Sequence, residues 1–578
     1  MIIKLSAFQG ESPRTIPRLL PESMAQQAYN TKLENGALKP IHRARFVEAL
    51  SDTAQTIYLH KGEWISWKSV VDVVPGPVAD DRLYFTGDGA PKLMYQDQVY
   101  NLAIARPDGV PVASVSGTPD PDLLSSIIYA YTWVTDLGEE SEPSPLSESV
   151  EWSPGLIVTI RGFSQPPANR RVTLMRIYRS QTSATGATEL YFIAERPAGV
   201  GDFIDDNLDI VEPIPSTDYN APPDDLQGIT ALPNGMLAAF VGKKLYFSEP
   251  WIPHAWPEKY ILTTDYEIVA LGAFGSSIAI LTKGMPYVAS GTGPENMVME
   301  RVEVNLPCIN ARGVVDLGYS VAYPSHLGLV SISSNGASVA TTGILTRDQW
   351  LQMNPYSFIA GQYAGRWMAS YAYTDETGEG KRGIIIIDLT GDQPFIIRNN
   401  DYAHSMYYDI ETGALYLLKS GTDIFEWDAI AEPFGEQLWR SKKFVSPTET
   451  CFGALLVEGD DVTTAAQKKT LEDKAKAVMA ANKAIMAQSR SGGEIGGSAI
   501  GVIPFAGSLL DAVSGDPSSL AVSVYADDKL IWTTSKLNKV IRLPAGFLAR
   551  TWEIEVRGNI QVSQIVMATS ASEMAEGA

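Results

Sequence analysis

From about residue 55 the chain is written in short runs of aromatic and β-branched residues, each broken by Gly, Asp or Pro before it could become a helix. QTIYLHKGEWISW, DRLYFTGDGAPKLMY and QVYNLAIA set the pattern. The GDG at 87–89 reads as a hairpin turn, because Gly accepts positive φ. The same writing returns between 226 and 440, in GMLAAFVGKKLYFSEP, EIVALGAFGSSIAILTKGMPYVASG, SVAYPSHLGLVSISSNGASVATTG, RWMASYAYTDETGEGKRGIIIIDL and MYYDIETGALYLLKSGTDIFEW. Each module packs two to four strands into roughly 20–40 residues, a spacing that suits propeller blades. The pattern predicts an all-β chain whose propeller is built from 51–120 and 226–440. A flat two-sheet sandwich is the competing arrangement.

Three stretches stand outside that pattern. Residues 1–50 hold four prolines between 13 and 40 and little apolar periodicity, so they read as an N-terminal arm laid across a neighbouring surface. Residues 121–225 read as an inserted β-sandwich of fibronectin-type-III character: SSIIYAYTWV, LIVTIRGF, VTLMRIYRSQT and ELYFIAERPAG are its strands. Residues 441–460 and 520–578 read as one C-terminal β-domain, split by a helical hairpin insertion at 461–519. In that insertion, Leu471, Ala475, Val478, Asn482 and Ile485 step by four and three, the spacing of a coiled-coil seam. The seam is weak, since Ala475 is small and Asn482 polar; alternatively Asn482 faces water and Ala481 takes the buried place. The hairpin either packs on its own β-domain or bundles with copies from other subunits. In the second case the apolar loop 495–510 would plug or line a tube, or meet a membrane.

Charge and composition limit the function. At 578 residues the chain is too long for one ordinary domain, and its 45% hydrophobic content supports large cores. A net charge of -22 argues against tight nucleic-acid binding, which rests on Lys and Arg. DNA meeting such a surface would slide and not be gripped. Cys308 and Cys451 are far apart and fit a reducing compartment without a disulfide framework. The first residues lack a signal-peptide core, and the apolar run at 495–510 is too short to span a bilayer.

The sequence offers no catalytic, cofactor or metal set. The five histidines, His42, His60, His254, His326 and His404, sit in no HExxH or HxH pair, and there is no GxSxG elbow or Walker loop. Two isolated cysteines cannot build a zinc site. Acidic pairs recur at Asp80–Asp81, Glu139–Glu140, Asp205–Asp206, Asp224–Asp225, Asp460–Asp461 and Asp527–Asp528. Neighbours on a strand face opposite ways, so these read as turn residues and solvated charge. A sialidase-like propeller would carry a repeated Asp-box, of which SGTDIFEW (420–427) is a distant echo. Arg171, Arg176 and Arg179 would be its candidate carboxylate-binding trio, with a structural role as the alternative. The loop SEPWIPHAWPEKY sets Trp251, Trp256 and Tyr260 among prolines that include Pro253. Fixed φ and large rings make it a rigid scaffold loop or an intersubunit contact.

Four stretches carry a family resemblance: FQGESPRTIPRLLPESMAQQAYNTKLENGALKPI (8–41), LPNGMLAAFVGKKLYFSEPWIPHAWPEKY (232–260), LTKGMPYVASGTGPENM (281–297) and RLPAGFLARTWEIEVRGNIQVSQIVMATSASEM (542–574). Together they resemble the tail nozzle (tail hub, or packaged-DNA stabilisation) proteins of short-tailed bacteriophages. The likeness touches nearly the whole chain except the helical insertion, which departs from the pattern. The resemblance implies a structural virion protein, not an enzyme, made in the bacterial cytoplasm and located in the tail. It implies a homo-hexameric ring under the portal-adaptor ring, in contact with tail fibre or tail tip proteins. That ring would retain the packaged genome and conduct DNA at ejection; transient host membrane contact is instead a reading of the apolar loop 495–510. The alternatives are a receptor-binding hub or fibre-attachment protein and a propeller glycosidase acting on host surface glycans.

Overall fold

The computed structural model describes the chain except residues 169, 183–187, 207–211, 376–377, 390–393, 462–463, 491–518 and 578. The architecture is all-β, with strands throughout and a single long helix among the described residues. The chain forms two compact units: Ile65–Ser325 with Ser331–Ser338, and Met1–Trp64 with His326–Val330 and Val339–Ala578.

The Ile65–Ser325 unit contains three successive antiparallel meanders of four strands. The first runs through Asp72–Pro75, Arg82–Thr86, Lys92–Tyr95 and Gln98–Asn101. The second takes Gln227–Ala231, Leu237–Val241, Lys244–Phe247 and Leu262–Thr263. The third takes Ile268–Phe274, Ser277–Thr282, Tyr287–Ser290 and Val298–Arg301. Within each sheet the strands pair in chain order, which is the form of a propeller blade. Their first strands lie beside one another, Gln227–Ala231 packing on both Asp72–Pro75 and Ile268–Phe274. The predicted turn at 87–89 joins the second and third strands of the first sheet, with Gly87 at φ +103° and Gly89 at φ +79°. At Gly87 a Cβ would lie 2.3 Å from the Val70 carbonyl oxygen, so close backbone approach as well as φ requires glycine there.

A β-sandwich is inserted between the first and second meanders. One sheet holds Val112–Val115, Val158–Arg161 and Phe203–Asp205; the other holds Tyr129–Thr135, Val172–Thr182 and Thr188–Pro197. Its first strand lies upstream of residue 121, so Val112–Val115, which the sequence had grouped with the blades, belongs to the sandwich. Tyr129, Tyr131, Trp133, Val158, Ile160 and Ile177 form its core. Tyr129–Thr135 is buried at every position and not at alternate ones, because its second face is covered as well.

The other unit overturns the reading of 1–50 as an arm. Ile2–Leu5 pairs antiparallel with Gln561–Ala568, Ala25–Tyr29 lies between Phe395–Asn399 and Gln437–Ser441, and Arg45–Ala49 closes the sheet of Ser405–Asp409, Ala414–Lys419 and Asp423–Trp427. Phe8 packs edge-on against Trp439, whose indole N–H donates to the Gln9 carbonyl. The strands are only two to five residues long; the first four bury one or two side chains each and Arg45–Ala49 buries none, so they leave no periodic trace.

The helix Ala465–Arg490 lies between the strands Ala454–Asp460 and Leu520–Ala526. Along its seam Ala475 and Val478 are half-buried and Asn482 is buried, while Ala481 is exposed. The polar residue, not the alanine, therefore takes the inward place. The side chains of Leu471 and Ile485, like the rest of the expected hairpin at 491–518, lie outside the described residues.

Candidate functional site

The most chemically dense region of the Ile65–Ser325 unit begins at a turn. After Tyr129–Thr135 the sequence Asp136-Leu137-Gly138 reverses the chain, with Gly138 at φ +77° and the Thr135 hydroxyl accepting from the Leu137 and Glu139 amides. The reversal folds Glu139 and Glu140 back onto the strand. Ser141, Ser144 and Ser147 then fasten the chain along it. Each serine donates its amide to a strand carbonyl, of Trp133, Tyr131 and Tyr129 in turn. Each serine Oγ accepts the amide of the same strand residue, at 2.9, 3.1 and 2.9 Å. A serine at every third position thus satisfies a strand edge that a regular neighbour would otherwise have to pair.

Both glutamates are buried, against the expectation that they are solvated turn charge. Burying a carboxylate is costly unless donors surround it. Glu140 accepts from the Tyr178 hydroxyl at 2.6 Å, Thr132 Oγ1 at 2.7 Å, Arg176 Nη1 at 2.9 Å and Ser216 Oγ at 3.2 Å. Burial and the Glu140 charge push the Tyr178 phenol well above its usual range, so it stays a donor. Glu139 pairs through Oε2 with Arg170, whose side chain is fully buried. Arg82 Nη1 and His254 Nδ1 each lie 3.9 Å from its other oxygen, Oε1. His254 donates from Nε2 to the Glu140 carbonyl at 2.9 Å, since a carbonyl can only accept. Burial, before all else, lowers the His254 pKa, so the ring is neutral and Nδ1 carries a lone pair. Burial pushes the nearby Tyr84 hydroxyl up to about 12. Strand Arg82–Thr86 of the first meander, the sandwich turn and the 250–257 loop therefore meet at one charged node.

The remaining acidic pairs divide. Asp205 is buried, accepting from the Tyr129 hydroxyl and Arg179 Nη1, both at 2.7 Å. Asp206, Asp224, Asp225, Asp460 and Asp461 are exposed, as are Asp527 and Asp528, which take positive φ in a hairpin turn. The arginine trio is dispersed: Arg171 binds Asp136, Arg176 binds Glu140 and Glu195, and Arg179 binds Asp205. Each guanidinium is committed to a carboxylate of the sandwich or its turn.

The candidate loop at 251–260 splits in two. Trp256 is 1% exposed, joins the core of Tyr84, Leu93 and Leu237, and donates from its indole to the Pro253 carbonyl at 2.9 Å. Tyr260 is buried and donates to Glu249 at 3.1 Å. Trp251 is 58% exposed at φ +64°, lying over Gly235, where a Cβ would come within 2.5 Å of the ring. Three of the four residues hold the loop, and Trp251 alone among them presents a large outward surface.

A cavity of about 560 Å³ opens at the first strands of the meanders. Asp72, Thr230, Phe240, Gly272, Arg312 and Asp316 are among its lining. Asp72 faces the cavity yet is crowded by protein, which pushes its carboxyl up to about 6 against the lowering effect of the Gly228 amide. Crowding also raises the Asp316 carboxyl, which accepts from the Gly318 amide at 2.6 Å. Sequence spacing gave no sign that Asp72 and Asp316, remote in the chain, line one cavity. Among the described residues no group of three or more His, Cys, Asp or Glu is placed to hold a metal. Among them, too, no helix is long and apolar enough to cross a membrane.

No family model matches the chain, and no curated protein matches it. Among solved structures, it is similar to an exo-beta-1,3-galactanase from Phanerochaete chrysosporium in complex with beta-1,3-galactotriose, at 6% identity and TM-score 0.18, over 89% of this chain and 99% of that one. It is also similar to the extracellular domain of a one-component system from B. thetaiotaomicron, at 8% identity and TM-score 0.21, over 76% of this chain and 67% of that one. At such scores neither likeness bears on function.

Proposed function

We propose that this chain is a structural subunit of a tailed-phage virion, a tail nozzle that rings the DNA path below the portal and adaptor. The observation that supports the reading is where the resembling stretches fall. Those at 8–41 and 542–574 are remote in sequence yet share β pairing: Leu38 exchanges backbone hydrogen bonds with Val562 at 2.8 and 3.0 Å. Those at 232–260 and 281–297 supply strands of consecutive blade-form sheets. The segments that carry the family likeness are thus also segments that hold the sheets together.

The chemistry suits a passive conduit. The charge of -22 disfavours adhesion of phosphate, so DNA would pass without being held. Charges in the sandwich are largely consumed in internal pairs, which fix shape and leave few cations for a polyanion. In the assembled state the subunit would be one of six, and the native mass should be six times 62.7 kDa. A monomer at all concentrations, including with portal and adaptor present, would count against the reading.

A second reading rests on the cavity. Two raised carboxyls that line one cavity, Asp72 at about 6 and Asp316, are groups of the kind a glycosidase uses as acid and base. A glycan-release assay on host surface polysaccharide separates the two. Turnover abolished by both Asp72→Asn and Asp316→Asn would favour the enzyme, and no release with intact ring assembly would favour the nozzle.

A further inference from the structure

The charged node has unspent bonding capacity, all on buried atoms. Among the described residues, Glu139 Oε1, His254 Nδ1, Arg82 Nε, Arg170 Nε, Arg170 Nη1 and the Tyr84 hydroxyl have no hydrogen-bond partner. The Arg170 side chain is fully buried, and those of His254 and Glu139 are 5% and 6% exposed. Five unpartnered polar atoms beside an unpartnered carboxylate oxygen are too many for chance, since buried polar groups are paired in all but a few cases.

We propose that the node is a binding site for ordered water, one or two molecules held between Glu139, His254, Arg82 and Arg170. The chemistry of the unmet atoms selects the ligand. Arg82 and Arg170 offer N–H donors, which repel a cation. Glu139 Oε1 and the His254 Nδ1 lone pair can only accept, and they repel an anion. Water both donates and accepts, so it alone satisfies the two sets together. The 3.9 Å separations of Arg82 and His254 from Glu139 Oε1 are too long for direct bonds. They leave room for a bridging oxygen beside the line of centres. The bridged groups come from a blade strand, the sandwich turn and the 250–257 loop, so the water completes the joint that holds the inserted sandwich to its neighbouring sheet.

The competing ligand is a halide, because two guanidinium groups, those of Arg82 and Arg170, face the single carboxylate of Glu139. A structure of the full chain determined in bromide, at a resolution that shows waters, distinguishes them. The expected result is a peak within hydrogen-bond distance of Glu139 Oε1 and His254 Nδ1 with no anomalous bromide signal. Anomalous scattering at that position would overturn the proposal in favour of an anion site. A node without any peak, in which Arg82 closes directly onto Glu139, would overturn it equally.

Discussion

The two insertions in this chain treat charge in opposite ways. The sandwich at 112–205 folds its acids inward: Glu139, Glu140 and Asp205 are buried and matched to Arg170, Arg176 and Arg179. The helix Ala465–Arg490 keeps its charges outside, with Lys474 reaching Glu432 and Lys468 reaching Asp461 while their lysines stay 51% and 42% exposed. An ion pair of the first kind constrains the fold, because removing one partner strands a charge away from water. A pair of the second kind is screened and adds little. The chemical groups are alike, and the difference lies in what surrounds them.

The sharpest test of that contrast is Arg170→Ala, which leaves Glu139 without its charged partner. It should cost about 3–5 kcal/mol in denaturant unfolding of the sandwich; a loss below about 1 kcal/mol would break the distinction. Next in size is Ser144→Ala. It removes the acceptor for the Tyr131 amide at 3.1 Å and should cost about 1–3 kcal/mol, with Ser144→Thr recovering part of it.

Acidification provides a third, smaller effect. The folded His254 pKa lies below the ordinary 6.5, chiefly through burial. The unfolded chain therefore binds the proton first, and stability falls as pH drops from about 6.5 toward the folded value, then levels. Melting midpoints measured across that window should decline, and His254→Gln should flatten the decline. Asp72 runs the other way: its carboxyl, raised to about 6 from 3.8, makes the charged form unfavourable in the folded state above that pH. Asp72→Asn should raise the midpoint slightly at neutral pH, and the gain should vanish once the pH falls below about 4. The smallest effect is Lys474→Ala on the helix, within about 0.5 kcal/mol.

The parts of the fold that were legible in the sequence are those whose information is local. The strand modules announced themselves because Leu83 and Phe85, or Leu245 and Phe247, alternate within a few residues of a turn glycine. The sandwich was visible through Tyr129, Tyr131 and Trp133. The 1–50 segment was misread because its buried residues Phe8, Leu38 and Ile41 follow no period and are buried by strands hundreds of positions away. Glu139 and Glu140 were misread for a related reason. What buries them is Arg82, Arg170, Tyr178 and His254, none adjacent in sequence. A usable signal was present, since serines at 141, 144 and 147 follow the glutamates at a fixed interval of three. The 251–260 loop was half legible: its aromatic content marked a rigid element, but not that Trp256 turns inward and Trp251 outward.

The proposed side-by-side assembly around a DNA path is tested most directly by imaging of purified infectious particles. Reconstruction of the tail with this subunit labelled should place six copies as a ring below the portal and adaptor. Particles that are complete and infectious without the chain, or that carry it only in three copies at the fibres, would contradict the account.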